Sequence, residues 1–433
     1  MLIKRAVLLD GTAVDIRVGR CVEEVAAELQ TRHGETVFDA RGGTVLPGLH
    51  DHHIHLRAAA AASRSVHVGP DEVDGLPNLT AVLRSSAVAA DGWIRAVGYH
   101  ESVAGPLDRT MLDQICPSTP LRVQHRSGVL WTLNSTGLAL VGQRDHPDGR
   151  LRSADPRWAA NLDRCDSGLG EFSAQLSSYG VTGVTDATPG LDRADVTALH
   201  DAHRRGELAQ RVHCLAPGKR ILHDDDLDLD ALTGWIVDQH RDAEPVALHC
   251  VTAAQLTVAL AALAAAGRHP GDRLEHAAVV PHGSLADVAA SGATVVTQPN
   301  FVAERGDQYL QDIPHTEHHE LWRVATLYEA GVPMALSTDA PFGAPDPWAA
   351  MRAAVTRRTR SGAVLAADEK VSPATALTLF LGDALRPAMP RRVEPGAVGD
   401  LCVLSVPPRQ ALADLDGEMV AATVAGGRPV FVR

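Results

Sequence analysis

Pro47-Gly48-Leu49-His50-Asp51-His52-His53-Ile54-His55-Leu56 is the stretch on which the reading of this chain turns. The apolar run Gly43–Leu49 reads as a strand that delivers the histidines directly after it. In extended backbone, residues two apart point to the same side, so His53 and His55 aim at one point, as two imidazoles sharing a metal must. His50 and His52 fall on the alternate positions and are expected to point away. A solvated histidine-rich loop would carry the same letters, so the case depends on the rest of the chain.

Outward from this segment, the middle of the chain alternates. Strand candidates recur at Gly43–Leu49, Trp93–Val97, Leu121–His125, Val181–Asp186, Arg211–Leu215, Val246–Cys250, Arg273–His276, Ala293–Gln298 and Pro333–Asp339. Helical runs lie between most of them, among them Asp195–Arg204, Asp230–His240, Ala253–Ala266, His319–Ala330 and Trp348–Thr356. Such alternation predicts an α/β chain, a (β/α)8 TIM-like barrel over 46–384, with one strand candidate more than the eight places hold. The chain ends differ. Short strands with Gly, Pro and Asp turns occupy 1–45 and 385–433, with one helical stretch expected over residues 22–30, and predict one small β-sandwich module built from both termini.

Later strand candidates end in metal-ligand residue types: Val246–His249 in His249, Arg273–His276 in His276 and Pro333–Asp339 in Asp339. In a barrel the carboxyl ends of all strands share one face, where active sites form. Four imidazoles and a carboxylate on that face suit Zn²⁺, with Mn²⁺ or Fe²⁺ as alternatives.

These residues also resemble a known family. Pro47–Leu56 is similar to the "PGxxDxHxHL" opening of the amidohydrolase superfamily, Leu274-Glu275-His276-Ala277 to its "xEHA" strand, Ser337–Pro341 to its "SDxP" strand and Pro395–Leu401 to its "PGxxADL" entry to the terminal strands. Gly98–Glu101 and His125–Gly128 resemble the branch containing N-substituted formamide deformylase and exoenzyme-regulator-type proteins. Val129 stands where that branch usually carries a second histidine. The resemblance implies His53 and His55 as first-strand ligands, His249 and His276 as fifth- and sixth-strand ligands, and Asp339 as the eighth-strand ligand. It further implies one or two ions, with a carboxylated Lys219, from the segment Arg211–Lys219, as the bridging ligand in the two-ion case. An ordinary lysine after a Pro-Gly turn is the alternative for Lys219. The implied chemistry is hydrolysis of an amide, N-formyl, N-acyl or cyclic amide C–N bond by a metal-activated water, with Asp339 taking and returning the proton. Two alternatives stay open. Deaminating relatives commonly carry a glutamate three residues after the fifth-strand histidine, where this chain has Thr252. A scaffold protein that has lost its ligands would lack residues that are all present here.

Composition sets the outer bounds. The 433 residues are 45% hydrophobic and 21% charged, which fits a soluble globular chain long enough for a barrel plus a smaller module. A net charge of −13 argues against a nonspecific nucleic-acid partner. The six cysteines, Cys21, Cys116, Cys165, Cys214, Cys250 and Cys402, form no CxxC pair and read as reduced thiols. With no apolar leader or membrane-length apolar run, a cytoplasmic protein is expected, and the resemblance allows a homodimer. A small-molecule substrate would meet Arg126, Trp131 and Arg305, with an ion-pair role as the alternative for each arginine. His318 and His319 read as solvated.

Overall fold

Aliphatic runs bounded by Gly, Pro and Asp become the strands of the computed structural model, in which all residues except 154, 156–157, 159–161 and 163–167 are described. Cys165 lies outside the described residues; the other five cysteines are free thiols. Eight parallel strands carry the chemistry-bearing segments: β1 (Leu49–Ile54), β2 (Val181–Asp186), β3 (Arg211–Cys214), β4 (Lys219–Ile221), β5 (Ala247–Cys250), β6 (Arg273–His276), β7 (Thr294–Thr297) and β8 (Met334–Leu336). They make a three-stranded sheet in the order β3-β2-β1 and a five-stranded sheet in the order β4-β5-β6-β7-β8. Strands β1, β2, β6 and β7 are buried at every position. Burial on both faces is why they read as continuous runs rather than alternating ones. Beyond β8 the chain hydrogen-bonds to β1: Asp339 N donates to the His53 carbonyl at 2.9 Å, and His55 N to the Ala340 carbonyl at 2.8 Å.

The structure shifts the first strand. Val45–Pro47 pairs antiparallel with Leu401–Leu404, and Leu49–Ile54 is a separate strand that contains His50, His52 and His53 instead of preceding them. Gly48 separates the two where β1 meets β2: a Cβ there would lie 2.2 Å from Thr182 Oγ1. Trp93–Val97 and Leu121–His125 belong to neither parallel sheet. Their place in the series is filled by the short strand Lys219–Ile221, hidden in the sequence because only three residues follow a Pro-Gly turn.

Helices follow most strands. Arg193–Arg204, Leu229–Arg241 and Ala253–Ala266 match their expected positions. Each opens on a side-chain cap, from Asp192, Asp228 and Thr252 respectively, which accepts one of the orphan amides of the first turn. The expected helix His319–Ala330 shrinks to Ala325–Glu329, preceded by a 3-10 turn over His315–Glu320. No helix among the described residues is long and apolar enough to cross a membrane.

Both chain ends form sheets. One holds Val22–Ala26, Ala13–Val18, Leu2–Val7 and Val37–Asp39 in that order; the other holds Arg428–Val432, Val420–Ala425, Leu401–Leu404 and Val45–Pro47. A single apolar cluster joins them, with Ile3, Ile16 and Val18 against Leu401, Val403 and Val424. The expected helix over 22–30 is instead a strand on Ala13–Val18, because Val22 and Val25 gain more from that cluster than from helical propensity.

Residues Arg57–Leu169 form a compact unit of their own, distinct from Met1–Leu56 with Gly170–Arg433. Its five-stranded sheet runs Arg150–Arg152, Leu130–Leu133, Leu121–His125, Ile94–Tyr99, Val66–His67. Two of the strand candidates assigned to the barrel from sequence are the central strands of this sheet.

Candidate metal centre

Strand β1 ends in His53-Ile54, and His55 follows immediately, so both imidazoles leave the backbone beside the end of β8. His53 Nε2 lies 3.5 Å and His55 Nε2 3.3 Å from Asp339 Oδ1. These three buried residues form one group of converging ligand atoms. His276 joins them less tightly, its ring 4.7 Å from that of His53, and His249 packs edge-on to His276 at 4.3 Å. Lys219, buried at the start of β4, sets Nζ 3.2 Å from His53 Nε2. All six residues marked as ligands in the sequence therefore gather at one place, with His53, His55 and Asp339 as its tight core.

Strand alternation alone does not produce this gathering. Glu275 and His276 are adjacent on β6, yet both side chains contact the His53 ring. His276 does so with φ at +69°, and Asp339 likewise has φ at +57°. Non-glycine residues rarely occupy this left-handed region, and here it turns two strand ends so that their side chains swing inward.

The second layer fixes the proton positions. His53 Nδ1 contacts Glu275 Oε2, and a carboxylate can only accept, so the ring carries its proton on Nδ1 and keeps the Nε2 lone pair free. His276 Nδ1 donates to Gln298 Oε1 at 2.7 Å, since the Gln298 amide nitrogen is spent on Ser337 Oγ. His55 Nδ1 lies 3.3 Å from Thr188 Oγ1. Asp51 braces the whole: its carboxylate accepts from the backbone amides of His53 and Thr338 and from the Thr338 hydroxyl.

Burial shapes the charges. It drives the His53 and His249 imidazoles well below their ordinary values and takes His276 to about 3, so all three stand neutral, as metal-ligating imidazoles must. Burial also lowers the Lys219 amine to about 8, against the opposing pull of Glu275 and Asp339. Desolvation alone would raise Asp339, but His55, His53 and Lys219 more than offset it and keep the carboxylate ionised. Behind it, burial lifts Asp51 to about 7.

Whether a divalent ion fits can be judged from the donors. Asp339 Oδ1 is buried and accepts no hydrogen bond, although two imidazole nitrogens face it. A buried carboxylate oxygen left unsatisfied is costly unless a cation completes the set. Nitrogen and oxygen donors of this kind suit Zn²⁺ or a neighbouring first-row ion.

A second group of potential ligands, His100, Glu101 and His125, lies in the Arg57–Leu169 unit. There the Nδ1 atoms of His100 and His125 accept the backbone amides of Ser102 and Ser127. Those bonds leave the ring proton on Nε2, the nitrogen nearest Glu101 in His125, which equips the ring to donate rather than to coordinate.

The three substrate candidates fare differently. Trp131 is buried in the apolar cluster of its own unit, with the Arg95 and Arg122 guanidiniums 5.2 and 5.6 Å from its ring, so packing accounts for it. Arg126 is half-buried in that unit, its amide donating to the Tyr99 carbonyl. Arg305 donates to the Phe342 carbonyl and lies over Phe301, and Phe342 meets the His55 ring edge-on at 5.2 Å. His318, expected in solvent, is buried and bonds to the Ile313 carbonyl. Glu275, Asp51 and Gln298 are the residues bonded to candidate ligands that sequence reasoning missed. Glu275 was legible in principle, standing two residues from Arg273 and next to His276 within one strand candidate.

The sequence profile of the amidohydrolase family matches residues 36–431. The chain belongs to the amidohydrolase family. N-substituted formamide deformylase of Arthrobacter pascens is 24% identical over 432 aligned positions, covering 79% of each chain. Among solved structures, an uncharacterized metal-dependent hydrolase from Pyrococcus horikoshii superposes with a TM-score of 0.73 at 18% identity, over 94% of this chain and 97% of the other. N-isopropylammelide isopropylaminohydrolase from Burkholderia multivorans superposes with a TM-score of 0.57 at 15% identity, over 99% of this chain and 97% of the other. These likenesses give a TIM-barrel-type fold of mixed α/β content, and family membership makes this amidohydrolase a hydrolase of carbon–nitrogen bonds outside peptides.

Proposed function

We propose that this amidohydrolase cleaves an amide, N-formyl, N-acyl or cyclic amide bond of a small molecule, using a metal-activated water held at His53, His55, His249, His276 and Asp339. The observation that carries the reading is the unsatisfied Asp339 Oδ1 facing two imidazole nitrogens, those of His53 and His55. A divalent ion there supplies Lewis acidity toward a carbonyl and lowers the pKa of water. The Asp339 carboxylate would accept the water proton and deliver it to the leaving nitrogen. Zinc suits the donors best, and a second ion would require Lys219 as a carbamate. An amine lowered to about 8 supports that modification, since only the neutral amine can take up carbon dioxide.

The same reading closes the eight parallel strands into a (β/α)8 barrel within 46–384, into which residues 57–169 are inserted. It makes residues 1–45 and 385–433 a β-sandwich module. Likeness to the formamide deformylase favours formyl and acyl amides over heterocycle deamination. Thr252, where deaminating relatives carry a glutamate, caps a helix and offers no carboxylate.

The test is metal analysis of purified protein followed by a panel of N-formyl, N-acyl and cyclic amide substrates. One or two equivalents of zinc per chain and turnover of at least one class are expected. Well under one equivalent after metal-supplemented growth, with no turnover, would sink the reading.

A further inference from the structure

Resting on that metal-site reading, we infer that Arg273 and Glu275 form a positioning pair that selects the tautomer and fixes the aim of His53. Both side chains leave the same face of β6, being two residues apart on a strand. Arg273 Nε donates to Glu275 Oε1 at 2.6 Å, and Arg273 Nη2 donates to the His52 carbonyl at 2.6 Å. Glu275 then turns its other oxygen, Oε2, onto His53 Nδ1. The guanidinium therefore grips two points at once: the backbone of β1 beside His53, and the carboxylate that holds the His53 ring.

Both members are fully buried, Glu275 at 0% and Arg273 at 4% exposure. A buried ion pair is a poor route to stability, because the desolvation of two charges consumes most of their attraction. Geometry gives this pair a different use. A carboxylate on Nδ1 holds the ring proton there and leaves the Nε2 lone pair facing Asp339 Oδ1. The opposite tautomer would place a hydrogen where the ion must sit. Arginine serves where lysine would not, since only a planar fork reaches both the carboxylate and the His52 carbonyl.

Two measurements test this without relying on turnover. In metal-free wild-type protein, long-range ¹⁵N–¹H spectra, with His53 assigned by loss of its signal in His53→Asn, report the tautomer directly. The Nδ1–H form is expected, and the Nε2–H form overturns the inference. The second measurement is zinc affinity by competition with a chromophoric chelator. Glu275→Ala is expected to weaken binding about 10- to 100-fold, the range seen for partners of metal-bound histidines. Glu275→Gln, which keeps the size but sets an amide group against Arg273, is expected to fall between. Folded Glu275 variants that bind zinc within about twofold of wild type overturn the inference. If Glu275→Ala does not fold, the Gln variant and the wild-type tautomer still decide. Wild-type protein that binds no zinc sinks the metal reading, while the tautomer spectrum judges this one separately.

Discussion

Asp339 combines a left-handed backbone, burial by neighbours and an unsatisfied carboxylate oxygen. Each of these is unfavourable by itself, and a fold keeps them together only where the site needs them. Replacing Asp339 with asparagine preserves shape and the left-handed turn, which asparagine also tolerates, but removes the proposed proton acceptor. Asp339→Asn is therefore expected to lower kcat about 10²- to 10⁴-fold, the usual worth of a positioned general base. Its circular dichroism and Tm should stay near wild type. Rates like wild type, measured on whichever amide class proves active, would remove Asp339 from the mechanism. Asp51 shows why neighbouring acids are not interchangeable: Thr338 occupies both its oxygens, so it braces the backbone.

Elements matter through how their ends are fixed. The short helix Ala325–Glu329 leads into β8, and its first turn is tied down by Glu369 from the 3-10 turn Ala367–Glu369. Glu369 accepts from the Thr326 amide at 3.0 Å, from the Thr326 hydroxyl, and from Arg323 Nε at 3.0 Å. Truncating it leaves a buried guanidinium without its carboxylate and a helix amide without its acceptor. Glu369→Ala is expected to cost about 3–5 kcal/mol in urea unfolding, as breaking a buried pair from one side does. A loss below about 1 kcal/mol would mean that solvent reaches Arg323 and replaces the partner. The expected helix over His319–Ala330 shortens for a related reason. Arg323 pairs with Glu369 from 46 residues away, a specific tertiary contact that a continuous helix would break.

At the scale of the whole molecule, the sheets from the two chain ends share a core, and a buried carboxylate anchors one of them. Burial alone would raise Asp15, but Lys4 at 2.9 Å and the amides of Leu29 and Arg5 outweigh it and hold the group below its ordinary value. A depressed carboxylate adds stability that is present above its unfolded pKa and lost as pH falls through its folded one. The acid limb of the stability curve, below about pH 4, should therefore flatten in Asp15→Asn relative to wild type, followed by urea midpoints between neutral and acid pH. An unchanged acid limb would show that other carboxylates govern it.

The amino-acid order by itself determined the family, most of the parallel strands and the candidate ligand residues, because HxH spacing, strand-end histidines and the terminal aspartate are local patterns. Tertiary structure decided what local pattern cannot carry. It moved Trp93–Val97 and Leu121–His125 into a sheet of their own, made Lys219–Ile221 a strand, and turned His276 inward through a positive φ. It also made Glu275 the partner of His53 across 222 residues of chain. Strand pairing and buried hydrogen bonds are satisfied between segments far apart in sequence, and no window along the chain contains both partners.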